Sequence, residues 1–385
     1  MKVLFLIRDL AVGGSQRQLG VLAAGLARRG HDVAVVVLYA GGALEALLEG
    51  SSVRCLSIGK SSRWDALAPL ARLRQVFLSE HPDLVYAFLP TQTTLATLLL
   101  PRRLKSKLVF GLRAGGVQLD QYDALNALTY RAEAWLSRRA DLAVANARAV
   151  RADAIRRGFA GDRVAVVMNG IDVDAMRTDA DAGRRMRQAW GLSGNHFVIG
   201  CAARLDPMKD HTNLLQAAAS FARENSDARF VCVGEGPSAY RLRLTALADT
   251  LGLGDRVLWV GKIDDMKSAY NAFDLATLSS AFGEGFPNTV GEAMACGVPV
   301  AATDIGDVRA IIGELGEVVA PKHPDLLCAA WQRLRQRARE PGLRKEAREA
   351  IIANYGLDTM VRRTEDILTQ LAAGRRAEDI AREFT

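Results

Sequence analysis

Hydrophobic residues in this chain fall into short unbroken runs, separated by longer stretches that are apolar on one side only. Before residue 171 the runs KVLFLI, DVAVVVLY, VRCLSI, DLVYAF, LVFGL, LAVAN and VAVVMNG predict seven strands. After residue 195, FVIGCAAR, ARFVCVGEG, RVLWVG, LATLSS, VPVAAT and GEVVA predict six more. Runs such as VAVVVL lack polar alternation, so their sheets should be parallel and covered on both faces. Between the first two runs, Leu19, Leu22, Ala23 and Leu26 share one helical face, and Gly30 is placed to end that helix. Strands alternating with helices point to α/β domains, and from His323 onward the pattern is almost wholly helical.

Strand pattern lapses between Asp172 and Asn195, where DADAGRRMRQAW reads as a surface helix or linker. The expected division is a first domain over 1–172, a linker over 173–195 and a second domain over 196–364. Two Rossmann-like domains so joined would turn their strand C-terminal ends, and hence their loops, toward each other.

Composition narrows the class. At 385 residues, 49% hydrophobic and 24% charged, the chain suits two folded domains. No apolar run reaches membrane-spanning length; Thr93 to Leu100 comes nearest and stops at Pro101 and Arg102. The N-terminal MKVLFLIRD is too brief for a secretory leader and suits a first buried strand. Cys55, Cys201, Cys232, Cys296 and Cys328 lack metal-type spacing and are expected as buried thiols in a reducing cytoplasm.

The net charge of +7 is unevenly spread, with 27 Lys and Arg against 17 Asp and Glu up to residue 190. A basic first half implies an anionic partner. Its cations are dispersed and lack interleaved aromatics, which argues against nucleic acid. An anionic membrane surface or a phosphate-bearing acceptor suits it better, with Arg102, Arg103, Lys105 and Lys107 beside Leu98 to Leu100, and Trp135 near Arg138 and Arg139.

Four stretches carry candidate chemistry. Gly13 and Gly14 stand between a strand and a helix, where backbone can approach an anion. In ARLDPMKD, Arg204 ends a strand and Lys209 follows five residues later, a fork and a point charge suited to a diphosphate. In VGEGPSA, Gly234, Gly236 and Ala239 match a dinucleotide fingerprint, but the next strand ends at Gly261 and Lys262 without an acid for a ribose. In AFGEGFPNTVGEAMACGVPV a strand, a loop and a helix are expected, with Asn288 as N-cap after Pro287 and an anion pocket at the helix start. Glu284 in the loop and Glu292 one turn into the helix each offer two acceptor oxygens, suiting neighbouring sugar hydroxyls on either side of phosphates.

With GGSQRQL, MNGIDVD, ARLDPMKD, VGEGP and EGFPNTVGEAMACGVPV together, the chain resembles the retaining glycosyltransferases of family 4 over nearly its full length. The resemblance implies the GT-B fold: an α/β protein of two Rossmann-like domains with parallel sheets facing across a deep cleft, and a C-terminal helix over about 365–385 packing back on the first domain. It implies that Glu292 binds the nucleotide ribose and Glu284 the donor sugar, with Gly285, Phe286, Pro287, Asn288 and Thr289 beside sugar and phosphates. Arg204 and Lys209 would hold the diphosphate, Gly14 would close on it from the first domain, and Gly261 and Ile263 would lie near the base.

Such an enzyme would move a hexose-type sugar from a nucleoside-diphosphate sugar (a UDP-sugar first, a GDP-sugar second) to a glycan or lipid-linked acceptor in envelope polysaccharide, lipopolysaccharide or glycolipid synthesis. Arg204, Lys209 and a helix start would supply the positive charge, so no metal is expected, and DVD at Asp172 to Asp174 reads as incidental. Tyr86 and Phe88 stand where many members have histidines, leaving no clear general base. Arg113, at a strand end in the basic half, is the candidate for contacting acceptor or donor, and is assigned to the acceptor side. A cytoplasmic protein, peripheral at the inner face of the membrane, is the expected setting. The rival readings are a phosphorylase or epimerase on the same fold, a silent nucleotide-sugar-binding partner of another transferase, and a nicotinamide oxidoreductase.

Overall fold

The computed structural model describes residues 1–62, 65, 67–116, 124–337 and 342–385. Its chain divides into two compact units, one of residues 1–170 and 357–385, the other of residues 171–356.

The first unit is built on β1 (Lys2–Ile7), β2 (Asp32–Val37), β3 (Arg54–Ser57), β4 (Leu84–Phe88), β5 (Lys107–Leu112), β6 (Leu142–Ala145) and β7 (Val164–Val166). They pair in parallel in the order β3-β2-β1-β4-β5-β6-β7. Strand order reverses beside β1, as in doubly wound sheets. Apolar side chains fill both faces: Val3, Phe5 and Ile7 of β1 are fully buried, and so are Leu4 and Leu6 between them. The helix Gly14–Arg28 covers one face through Leu19, Leu22, Ala23 and Leu26, and Gly30 takes a left-handed φ of +87° just past its end.

Helices Leu357–Ala372 and Ala377–Glu383 complete this unit, burying Val361, Ile367, Leu368 and Ile380 in its core. The return therefore starts at Leu357, before the expected 365. Gly25 permits the contact, since a Cβ there would stand 2.5 Å from Val361. Arg29 and His31 both reach Glu365.

The second unit holds β8 (Phe197–Ala202), β9 (Ala228–Val233), β10 (Val257–Gly261), β11 (Leu275–Leu278), β12 (Val300–Thr303) and β13 (Glu317–Val319), parallel in the order β10-β9-β8-β11-β12-β13. Residues 173–195, expected as a linker, belong to it. The helix Ala180–Ala189 is capped by Asp179, whose amide donates to Asn271 at 2.7 Å and whose carboxylate meets Lys267 at the same distance. Arg187 further ties this helix to Asp274 at 2.7 Å. The amphipathic polar pattern was legible; the partners that anchor it lie about ninety residues on and were not.

Four of the five cysteines are buried, but Cys55, also expected inside, is exposed on β3. That strand is the sheet edge and alternates half-buried with exposed positions, so one side chain in two faces out.

Candidate active site

β11 ends at Leu278 and the helix Asn288–Ala295 begins ten residues later. The loop between them is fastened to the segment that follows β8. Ser279 Oγ donates to the Lys209 carbonyl at 2.7 Å, and the Ala281 amide donates to the Met208 carbonyl at 2.8 Å. Gly283, at φ +79°, lets Met208 lie where a Cβ would stand 2.4 Å from its sulfur. Glu284 is thereby turned inward and only 8% exposed. Its Oε1 takes the Lys209 ammonium and the Ser280 hydroxyl, the latter at 2.5 Å. A buried carboxylate needs such partners, because desolvation penalises its charge.

Gly285 and Pro287 are buried, and the Gly285 carbonyl accepts from the Asp307 amide at 2.9 Å. Phe286 packs its ring 5.3 Å from Tyr355. It anchors the loop to the unit's interior, and its backbone is what remains beside the helix start. The N-cap is Pro287, not Asn288, which is the first helical residue. Proline's φ of −75° already suits a helix entrance, and it offers no side-chain acceptor to the first-turn amides. Thr289 is half-buried on the same first turn.

Glu292 accepts a 2.8 Å bond from the Tyr270 hydroxyl, which fixes its carboxylate. Burial, and then the Glu292 charge, push the Cys296 thiol up to about 12, so that cysteine is a packing residue.

Arg204 and Lys209 sit after β8 in unlike settings. The Arg204 side chain is 70% exposed, 3.8 Å from Asp206, whereas that of Lys209 is 14% exposed. Asp206 and Asp210 cap the turn Pro207–Lys209 and the helix His211–Glu224, accepting from Met208 at 2.9 Å and Asn213 at 3.1 Å. His211, which the sequence did not single out, is fully buried over Trp259, and neither ring nitrogen finds a partner among the described residues. Burial first, then the Lys209 charge, pull its pKa down to about 4, keeping it neutral.

The glycine fingerprint has a local explanation. A Cβ on Gly234 would stand 2.1 Å from the Ala203 carbonyl oxygen, and one on Gly236 2.2 Å from that of Leu205. These glycines let the segment carrying Arg204 lie against the end of β9, with the Leu205 amide donating to Glu235 at 2.9 Å. Gly261 ends β10 at φ +72°, its carbonyl accepting from Gly234, and Ile263 is half-buried two residues on. Asp172 spends its carboxylate on the amides of Asp174 and Ala175, at 3.2 and 2.9 Å, as a turn cap. Arg204, Lys209, Gly261, Ile263, Glu284 to Thr289 and Glu292 therefore all lie in the second unit, at or after strand C-terminal ends. In open parallel sheets that edge is where ligands bind.

In the first unit, Gly14 opens the helix Gly14–Arg28 from an exposed position, with no side-chain cap from Gly13. Tyr86 and Phe88 are fully buried in the sheet, and Arg113 bonds the Tyr86 hydroxyl at 3.0 Å.

Two Rossmann-like units with parallel sheets are the GT-B architecture of nucleotide-sugar transferases. Residues 12–175 match the model of Glycosyltransferase Family 4, and residues 196–337 that of Glycosyl transferases group 1. Two glycosyltransferase family models thus match, each over less than half of the chain and together over most of it. It is 34% identical over 173 residues to D-inositol 3-phosphate glycosyltransferase 2 of Catenulispora acidiphila, a match spanning 42% of this chain and 40% of that protein. It is 31% identical over 218 residues to the GDP-mannose-dependent alpha-(1-6)-phosphatidylinositol monomannoside mannosyltransferase of Mycolicibacterium smegmatis, covering 54% and 55% of the two chains. The curated relatives are thus matched over about half their length or less. The crystal structure of Anabaena Alr3699/HepE in complex with UDP superposes with a TM-score of 0.82 at 24% identity, over 96% of this chain and 100% of that one, which establishes the fold.

Proposed function

We propose that the protein is a retaining glycosyltransferase that moves a hexose from a nucleoside-diphosphate sugar to a phosphate-bearing glycan or lipid-linked acceptor. The carrying observation is the second unit's strand end, where Lys209 and Glu284 pair behind an uncapped helix start and Glu292 is braced one turn further in. In this reading Glu292 holds the ribose hydroxyls and Glu284 the donor sugar. Backbone from Gly285 to Thr289 lies along the sugar and phosphates, and Gly261 and Ile263 border the base. Arg204 and Lys209 receive the diphosphate charge as it grows.

In the transfer, the bond from the anomeric carbon to the diphosphate oxygen breaks, and its electron pair leaves with the diphosphate. The acceptor hydroxyl oxygen bonds that carbon on the same face, and its proton passes to the departing phosphate. Retention without a protein base suits a chain whose Tyr86 and Phe88 are sealed inside a sheet. Arg204, Lys209 and the helix start supply charge that a metal would otherwise bring.

UDP-sugars stand first because the Anabaena neighbour was also solved with UDP-glucose; GDP-sugars stand second because the mycobacterial relative is GDP-mannose-dependent. Relatives named for D-inositol 3-phosphate and for a phosphatidylinositol mannoside favour a phosphate-bearing acceptor, as does the basic first half. Trp135, 70% exposed with Arg139 across its ring, and Leu128 on the same helix favour contact with an anionic membrane at its cytoplasmic face. No helix among the described residues is long and apolar enough to cross one.

Assaying release of nucleoside diphosphate from a panel of UDP- and GDP-sugars with lipid-extract acceptors, and reading the anomeric configuration of the product by NMR, tests the proposal. Turnover with retention supports it. A donor bound and never turned over would make the protein a silent binding partner.

A further inference from the structure

A second set of polar groups gathers at the C-terminal ends of β4, β5 and β6 in the first unit. Arg113 follows β5, and its guanidinium lies over the Phe88 ring, 3.9 Å from the centroid. One Nη2 hydrogen goes to the Tyr86 hydroxyl at 3.0 Å. Nε is buried without an acceptor, and among the described residues no carboxylate pairs with the group. Burial lowers the Arg113 pKa, with the Tyr86 hydroxyl opposing the shift. A guanidinium carries five donors, so one phenol oxygen leaves most of them unmet.

Asn146, after β6, is 4% exposed. Its Nδ2 donates to the Arg113 carbonyl at 3.5 Å, and its Oδ1 receives no donor among the described residues. The next residue, Ala147, is the cap of the helix Arg148–Arg156 and has no side-chain acceptor to offer. Gly115 holds the Arg113 segment against that helix, where a Cβ would stand 3.1 Å from Val150 Cα. A stacked cation, an unmet acceptor oxygen and the positive end of a helix thus share one strand edge.

We propose that this edge is an acceptor subsite for a phosphate with a neighbouring hydroxyl. Arg113 receives the phosphate and Asn146 Oδ1 accepts from the hydroxyl. The Phe88 face fixes the plane of the fork and Tyr86 occupies one of its donors, which leaves the Nη1 side to grip two phosphate oxygens. Tyr86 and Phe88 therefore serve as positioning residues for Arg113. The proposal rests on the reading that the acceptor is phosphate-bearing, and it adds the residues that recognise it.

The test uses the full chain labelled with 15N-arginine and inorganic phosphate as the probe. The Arg113 Nε–H signal, assigned by its contact with the Phe88 ring and by its loss in Arg113→Lys, should move as phosphate is added. In Arg113→Met, phosphate affinity at this site should fall about tenfold or more, and Arg113→Lys should recover only part of it. A Lys209→Met background keeps binding at the second unit from contributing. An Arg113 signal that stays in place into the tens of millimolar phosphate would overturn the subsite, whether or not the variants fold. Parallel titration with UDP separates the two claims: UDP binding without phosphate response sinks this subsite alone, and the reverse sinks the donor reading alone.

Discussion

Lys209 and Glu284 stand 75 residues apart in sequence and meet as a buried ion pair where β8 and β11 end. The pair makes the two loops one object, since neither charge is stable there without the other. Lys209→Met should lower stability by about 3 kcal/mol, and adding Glu284→Gln should cost less than the sum of the two single changes. Urea unfolding of the four proteins measures that coupling. Turnover of Lys209→Met should fall by about a hundredfold or more, with a smaller change in donor affinity.

Gly236 separates packing from ligand binding as the reason for the glycine pair. Gly236→Ala sets a methyl against the Leu205 carbonyl, so the segment bearing Arg204 and Lys209 must move. A stability loss of about 2 kcal/mol is expected, together with weaker binding of nucleoside diphosphate and no NAD-induced rise in melting temperature for either protein. Differential scanning calorimetry with and without each nucleotide checks both.

His211 gives the fold an acid limb. In the folded chain its pKa is about 4, against about 6.5 when unfolded. Between those values the unfolded chain binds a proton that the folded chain refuses. Its contribution is therefore complete above about pH 6.5, declines through the window and levels off below about pH 4. The difference in stability between His211→Leu and wild type should shift in favour of the variant by up to about 3 kcal/mol across that window, read from denaturation curves at several pH values. A constant difference would mean that the imidazole is not the titrating group.

Strands were the most legible part of the fold, because runs such as VAVVVL have no polar side to be anything else. Each of the thirteen predicted runs overlaps an observed strand. The strand, loop and helix around Glu284 and Glu292 were legible too, since Pro287 and Gly297 punctuate that helix. Side-chain partners were not. Sequence assigns Lys209 to a diphosphate and Glu284 to a sugar, and gives no sign that they touch. It places Asn288 at the cap by propensity, where proline's fixed φ decides otherwise. It shows Arg113 as a strand-end arginine but not the Phe88 ring beneath it, because β4 and β5 become neighbours only in the sheet. His211 and Tyr270 carried no local signal, since only burial gives them their roles.

The central claim is that a nucleoside diphosphate rests at the start of the Asn288–Ala295 helix with Glu292 on its ribose. Isothermal titration of the full chain with UDP and GDP, comparing wild type with Glu292→Ala, tests it most directly. The account predicts binding of at least one nucleotide by the wild type and an affinity about tenfold or more lower in the variant, the equivalent of a lost pair of ribose bonds. Equal affinity in the two proteins would contradict it.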